Sequence, residues 1–359
     1  MIKKQPTIKD VALRSGVSIA TVDRVLHNRG KVSQKNLKAV TEAIEHLSFQ
    51  PNQIARALSV RKNNLKIGVT YPKVENEFWA EIDLGITSAK NLLRPFGVEL
   101  IIDHTNRYNR NDQLKSIDNL IKQNVNGIIF TPVSDSLADM LDQHIPENVH
   151  FVTVIEDIVG SRRLFHIGPD DFQIGALAAK LIYLYTEKNS KVIILSPNAR
   201  FTGTQKRISG FMSKIKQEQL NIDILQICNV PSETEEESYQ AIYQITLDCI
   251  RNHSSLNAIY VTNGLTQWCA DAVKDSGKSG KVSVFGHEFT SGIGEFLESG
   301  TVAATIYQKP AQQFYTAICM LYEFLIGDRT IAESNIVTEC SILIKESLPF
   351  IKIGGMDLL

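Results

Sequence analysis

Residues 7–26 read TIKDVALRSGVSIATVDRVL, and their spacing decides the first unit of the fold. Thr7 followed three positions later by Asp10 is a capping box, after which Ile8, Val11 and Ala12 recur at helical spacing. Ser15-Gly16-Val17 supplies a turn in which Gly16 can take positive φ, and Ser18 is an N-cap for a second helix running to about Leu26. Val17, Val22 and Val25 then face the first helix, which leaves Ile19, Ala20, Asp23, Arg24 and His27 pointing outward. A third helix begins at Ser33 and buries Leu37, Val40, Ile44 and Leu47, completing a three-helix core. This is helix-turn-helix geometry, in which the second helix offers its outward face to a DNA major groove.

Charge agrees with that reading. Residues 1–64 carry twelve Lys and Arg against four Asp and Glu, although the whole chain of 359 residues has a formal net charge of -1. A basic head on an acidic body is the footprint of a nucleic-acid-binding module joined to something that does not bind nucleic acid. A solvated basic tail would place its charges in a block, whereas these alternate with a helical apolar pattern.

From Thr7 to Ser59 the sequence, continuing HNRGKVSQKNLKAVTEAIEHLSFQPNQIARALS, resembles the DNA-binding head of the lactose-repressor (LacI/GalR) family. Candidate DNA contacts by this likeness are Thr7, Ser18, Ile19, Ala20, Thr21, Asp23, Arg24, His27, Asn28, Asn52, Ala55 and Leu58. Arg24 is the residue expected to read a guanine, with Ile19 and Ala20 against thymine methyls. Family heads usually read TVSRV where this chain has Thr21-Val22-Asp23-Arg24-Val25. Asp23 either accepts from cytosine N4 or orients Arg24, and the second is favoured because a carboxylate near phosphates is costly. PNQIARALS, from Pro51, starts a helix too short to persist alone. In the family such a hinge helix pairs with its dimer mate and wedges a leucine into the minor groove. Residue by residue that leucine is Leu58, with Ala55 beside it.

Beyond Leu65 the pattern changes to short β-rich runs alternating with amphipathic stretches. LKIGVTY, VELIIDH, GIIFTP, HFVTVI, KVIILSP, AIYVTN, VSVFGHE and VAATIYQ are strand candidates, with helices at 80–96 and 112–123 among the connections. The expected fold is thus an all-α head and hinge helix joined to an α/β body of two doubly wound parallel sheets. The expected division is 1–50 for the head, 51–64 for hinge and linker, and 65–359 for an effector-binding and dimerisation domain. Its N-lobe would take about 65–169 and 309–336, and its C-lobe about 170–308 and 337–359. In such sheets ligands bind beyond the carboxyl ends of strands.

The order of elements is similar to that of type I periplasmic sugar-binding proteins, the fold of the effector domain in the lactose-repressor family. That likeness implies Phe78 or Trp79 as an aromatic platform for a sugar ring. It implies polar contacts from Asp170, Asn263, Glu288 and Gln308, with Glu77, Glu156 and Gln205 as further candidates. Where sugar binders often carry Asp-Arg after the fourth strand, this chain has Ile155-Glu156, and Gln205 stands where an arginine is usual. Loss of cations disfavours an anionic effector and favours a neutral sugar or polyol. Arg207 is expected to brace the fold, while Trp268 either lines the cleft or packs in the core.

Other classes find little support. Gly292-Ile293-Gly294 has Leu297 where a dinucleotide fingerprint needs a small residue, and no P-loop, GxSxG or HExxH occurs. Lone histidines such as His166 and His287 are more often structural, and Glu233–Glu237 reads as a solvated helix start. Five dispersed cysteines suggest neither disulfides nor a zinc site. No stretch approaches the roughly 20 apolar residues of a membrane span, and MIKKQPTIKD has no secretory apolar run, so a cytoplasmic protein is expected. The expectation is a regulator, a repressor in type, of carbohydrate-utilisation genes and not an enzyme. It needs no cofactor or metal and has as partners a pseudo-palindromic operator DNA, a sugar or polyol effector and a second copy of itself. A corepressor-dependent regulator of a non-sugar metabolite and an enzyme are the alternatives. The ending IKIGGMDLL lacks leucine heptads, so a dimer rather than a tetramer is expected.

Overall fold

The computed structural model describes residues 6–26, 32–47, 65–73, 77–106, 109–134, 137–186, 189–197, 201–231 and 234–351. His27, Asn28, Asn52, Ala55 and Leu58 lie outside the described residues.

Helices α1 (Ile8–Ser15), α2 (Ile19–Leu26) and α3 (Gln34–Leu47) form the head. The Thr7 backbone N–H and hydroxyl both donate to the Asp10 carboxylate, at 2.7 and 2.6 Å, fixing the start of α1. Gly16 ends it at φ 68°, and the Ser18 hydroxyl accepts from the Thr21 backbone N–H at 3.1 Å to open α2. Val11, Ala12, Val22, Val40 and Ala43 form the buried centre, with Ile8, Val17, Val25, Ile44 and Leu47 packed around it. Leu37 departs from expectation at 44% exposed. It precedes Val40, the first α3 side chain over which the core closes, by one turn.

The body contains two six-stranded sheets among the described residues. In the first, β1 (Lys66–Pro72), β2 (Glu99–Thr105), β3 (Gly127–Phe130), β4 (His150–Val154) and β5 (Phe165–Gly168) are joined by a late strand, β11 (Asn335–Val337). Their spatial order is β11-β5-β4-β3-β1-β2 and every pairing is parallel. The second sheet holds β6 (Ser190–Pro197), β7 (Ile222–Val230), β8 (Ala258–Val261), β9 (Ser283–His287), β10 (Val302–Tyr307) and β12 (Ser341–Leu343). It runs β12-β10-β9-β8-β6-β7, with β12 alone antiparallel. Helices cover the sheets: α4 (Glu77–Leu93), α5 (Arg110–Lys122), α6 (Ala138–His144), α7 (Asp171–Tyr185), α8 (Thr202–Glu218), α9 (Glu235–Asn252), α10 (Thr266–Asp275), α11 (Ser291–Ser299) and α12 (Pro310–Leu325). Burial on both faces explains why β3 and β8 are wholly apolar or small in sequence.

The chain passes between the sheets three times. It leaves the first after β5, returns after β10 as α12, whose Phe314, Ala317, Ile318 and Leu321 join the core of the first lobe, and crosses again between β11 and β12.

Helices α7 and α8 meet at backbone distance. A Cβ added to Gly175 would stand 1.8 Å from the Arg207 carbonyl oxygen, and one at Gly210 would stand 1.9 Å from that of Phe172. Neither neighbour is a side chain that can turn aside. Replacing Gly175 or Gly210 with Ala should therefore separate the pair and destabilise the body by about 1–3 kcal/mol or more. A thermal melt should show a midpoint lowered by several degrees, roughly 2–4 °C per kcal/mol for a body of this size.

Candidate functional site

Strand ends of both sheets open onto one cavity of about 130 Å³, bordered from the first lobe by Phe78, Trp79, Thr131 and Glu156 and from the second by Arg207, Asn263, Trp268, Glu288 and Gln308. Its surroundings are tense: Ile155, Glu288 and Lys309 all have positive φ, at 70°, 70° and 54°. Each follows a strand, and a β-branched residue such as Ile155 pays heavily for that conformation. Three turns at the cleft are thus held by the lobes around them rather than by local preference.

Aromatic rings flank both sides. Phe78 and Trp79, at the start of α4, meet edge to face at 5.2 Å, and Trp79 also stacks on Tyr71 at 6.2 Å. Trp79 is thereby part of the lobe core as well as of the cavity. Across the cleft Trp268 stacks on Tyr239 with ring centroids 3.7 Å apart and 6° between planes.

The polar floor is built on Arg207. Its Nε donates to the Asp171 carboxylate and its Nη1 to the Thr262 carbonyl, both at 2.8 Å. The guanidinium is buried, and Asp171 holds it firmly in the charged form. Beneath it His287 is fully buried, with its Nε2 3.0 Å from the Tyr260 hydroxyl. Burial, reinforced by Arg207, keeps the imidazole neutral. Glu288 and Gln308 are buried side by side, and the Gln308 amide donates to Glu288 Oε1. Thr131 Oγ1, Glu288 Oε2 and Gln308 Oε1 are buried without a hydrogen-bond partner among the described residues. Buried polar atoms in that condition are costly, and here they come from both lobes onto one cavity.

Seven residues singled out from the sequence border this cavity: Phe78, Trp79, Glu156, Asn263, Trp268, Glu288 and Gln308. Three do not. The Glu77 carboxylate instead bridges the lobes, accepting from the Ser291 backbone N–H at 2.6 Å and from its hydroxyl. Asp170 is the exposed cap of α7, accepting from the Gln173 N–H at 3.1 Å, and Gln205 is exposed on α8. Arg207 both braces the fold and faces the cavity. Tyr239, Gln267 and Thr290 also line it and were not anticipated, because they come from helices α9 and α10 and from the cap of α11 rather than from strand ends. A second bridge joins Tyr307, whose hydroxyl donates to Glu81 on α4. In the head, Ile19, Ala20 and Arg24 are exposed, while Asp23 is half-buried.

Residues 7–52 match the bacterial regulatory proteins of the lacI family, and residues 67–329 match a periplasmic binding protein domain. The chain belongs, over most of its length, to the periplasmic binding protein domain family, and it carries a lacI-family DNA-binding region ahead of that domain. It is 32% identical over 215 residues to the ribose operon repressor of Lactococcus lactis subsp. lactis (strain IL1403), which is 60% of this chain and 61% of that protein. To the sucrose operon repressor of Lactococcus lactis subsp. lactis it is 26% identical over 311 residues, 84% of this chain and 88% of that one. The chain thus spans about three fifths of the first of these relatives. In fold, the body resembles GanP, a glucose-galactose binding protein from Geobacillus stearothermophilus, with a TM-score of 0.71 at 24% identity, covering 79% of this chain and 99% of that one. A carbohydrate transporter solute binding protein from Agrobacterium radiobacter, solved with D-arabinose, gives 0.71 at 18% identity, covering 79% and 96%. No helix among the described residues is long and apolar enough to cross a membrane.

Burial raises the Glu288 carboxyl to about 7, with Glu81 adding to the rise and Gln308 and Arg207 opposing it. The folded protein therefore holds this proton more tightly than the unfolded chain. The stability it contributes is complete below the usual carboxylate range and is lost as pH rises through about 7. Glu288→Gln cannot ionise. Its stability relative to wild type should improve by on the order of 2–3 kcal/mol between about pH 5 and pH 8, followed by thermal or urea unfolding at each pH.

Proposed function

We propose that this protein is a sequence-specific DNA-binding transcription regulator whose hold on its operator is set by a sugar or polyol in the interlobe cavity. The observation that carries the reading is the joining of two parts in one chain. One is a basic helix-turn-helix with Ile19, Ala20 and Arg24 exposed. The other is a two-lobed body whose cavity gathers aromatic faces and buried polar atoms in need of partners. The relatives named as ribose and sucrose operon repressors support a carbohydrate signal and repression of carbohydrate-utilisation genes. The chemistry of the cavity is that of recognition rather than catalysis. No histidine lines it, and the nearby His287 is held neutral by burial, with its Nε2 against the Tyr260 hydroxyl.

Two heads on a homodimer would read a pseudo-palindromic operator. Support for the dimer comes from apolar side chains left exposed on α4 and β2, Leu84, Leu92 and Ile102, the last on a sheet edge. An effector that fits one lobe arrangement better shifts the population toward it. Through residues 51–64, including Leu58 and Ala55, that shift changes the pairing of the hinge segments on DNA. The site of action is the cytoplasm, where the operator is.

In gel retardation with genomic operator fragments, Arg24→Ala should weaken specific binding by roughly 5- to 150-fold, the worth of one bidentate base contact. Its salt-dependent binding to random duplex should change much less. Equal affinity of wild type for operator candidates and random duplex, with and without sugars, would overturn the reading.

A further inference from the structure

We infer that Cys228 and Cys249 are a modification site, a dithiol that a hydroperoxide converts to a disulfide in the folded protein, locking the helix that carries Tyr239. Their spacing in sequence gives no hint of it, yet the fold sets the two sulfurs 3.7 Å apart across 21 positions of chain. Both lie at one edge of the second sheet: Cys228 on β7, its terminal strand, and Cys249 on α9. Strand and helix run antiparallel and in step. His253 Nε2 meets Gln226 Oε1 at 3.2 Å, and four residues back along the helix Cys249 meets Cys228, two residues on along the strand. A helical step of four residues and a strand step of two both advance about 6–7 Å, so the contact between the sulfurs is built in by register. The remaining approach to bonding distance is of the size that rotation about each Cα–Cβ bond supplies.

Reactivity comes from the pairing. When one proton leaves, the Cys228 thiolate accepts from the Cys249 S–H, and that bond draws Cys228 below the usual thiol range while Cys249 is raised and keeps its proton. Ile227 and Asn229, on either side of Cys228, are exposed, so the buried pair lies just beneath the surface. The thiolate attacks one oxygen of the hydroperoxide and the O–O bond breaks. Cys228 becomes a sulfenic acid, and the departing alkoxide or hydroxide takes up the proton the thiol gave away. The Cys249 sulfur then displaces hydroxide from Cys228 Sγ, and that hydroxide leaves as water with the Cys249 proton. Two thiols have lost two electrons and the peroxide has gained them. In a reducing compartment such a bond is transient, which suits a signal rather than a permanent staple. Its reach extends to the cavity through α9. By the same register Ile245 stands level with Val230, the end of β7, so the turns before it project past the strand. Tyr239 belongs to those turns, and it lines the cavity while stacked on Trp268. The chemistry of the pair does not depend on what fills that cavity.

The test exposes the full-length protein to hydrogen peroxide and, separately, to tert-butyl hydroperoxide, followed by denaturation, alkylation and non-reducing peptide mapping. Two of the five thiols should be lost to alkylation and recovered with dithiothreitol, in a peptide that joins Cys228 to Cys249. Closing the loop between them should raise the thermal midpoint by several degrees. Amide hydrogen exchange should slow along Glu235–Asn252. Cys228→Ala and Cys249→Ala should each abolish the crosslink and the shift. A crosslink made through Cys269, Cys319 or Cys340 instead, or five thiols still alkylated after prolonged peroxide, overturns the site. A Cys228–Cys249 crosslink that leaves exchange at the start of α9 unchanged refutes its hold on the cavity wall. Mapping of the wild type decides by itself should a variant fail to fold, and none of these results bears on whether a sugar occupies the cavity.

Discussion

The body is organised around one buried guanidinium. Arg207 lies out of water, so its charge must be matched within the protein, and the match comes from Asp171 and the Thr262 carbonyl. Those bonds pin α7 and α8 to the end of β8, and the two helices are already in backbone contact at Gly175 and Gly210. The second lobe therefore presents a rigid floor to the cleft. Asp171 offsets the positive charge of that floor through its ion pair with Arg207 at 2.8 Å.

Much of this architecture was legible in the sequence where one rule dominated. The head was readable because capping, turn and helical spacing all agreed: Thr7 with Asp10, Gly16, Ser18, and the Val22 and Val40 core positions. The eight strand candidates coincide with observed strands because each is an apolar run bounded by turns. Four strands escaped. β7 is an edge strand whose residues alternate irregularly between exposed and buried, β5 is four residues long and includes His166 and Gly168, and β11 and β12 have three residues each. Such segments owe their conformation to neighbouring strands rather than to their own pattern.

At the cavity, the strand-end rule points to Asn263, Glu288 and Gln308, and all three border it. Glu77, Asp170 and Gln205 are not on its lining, because being near a strand end does not say which way a side chain is drawn. Glu77 is drawn to Ser291 and Asp170 to the Gln173 N–H in the first turn of its own helix. Tyr239 was invisible for another reason: it lines the cavity from α9 while stacked on Trp268, a contact between two helices with no local signature.

The three passages of the chain between the sheets have a consequence for how the protein is made. The first sheet is finished only when β11, at residues 335–337, has been added, and its helical cover is incomplete until α12 exists. A nascent chain emerging from the ribosome can complete its head early, while Phe165, Ile86 and their neighbours wait through nearly all of synthesis for the partners that bury them. The interval leaves apolar surface open to aggregation, and it makes chaperone dependence and intolerance of C-terminal truncation built-in properties of this topology.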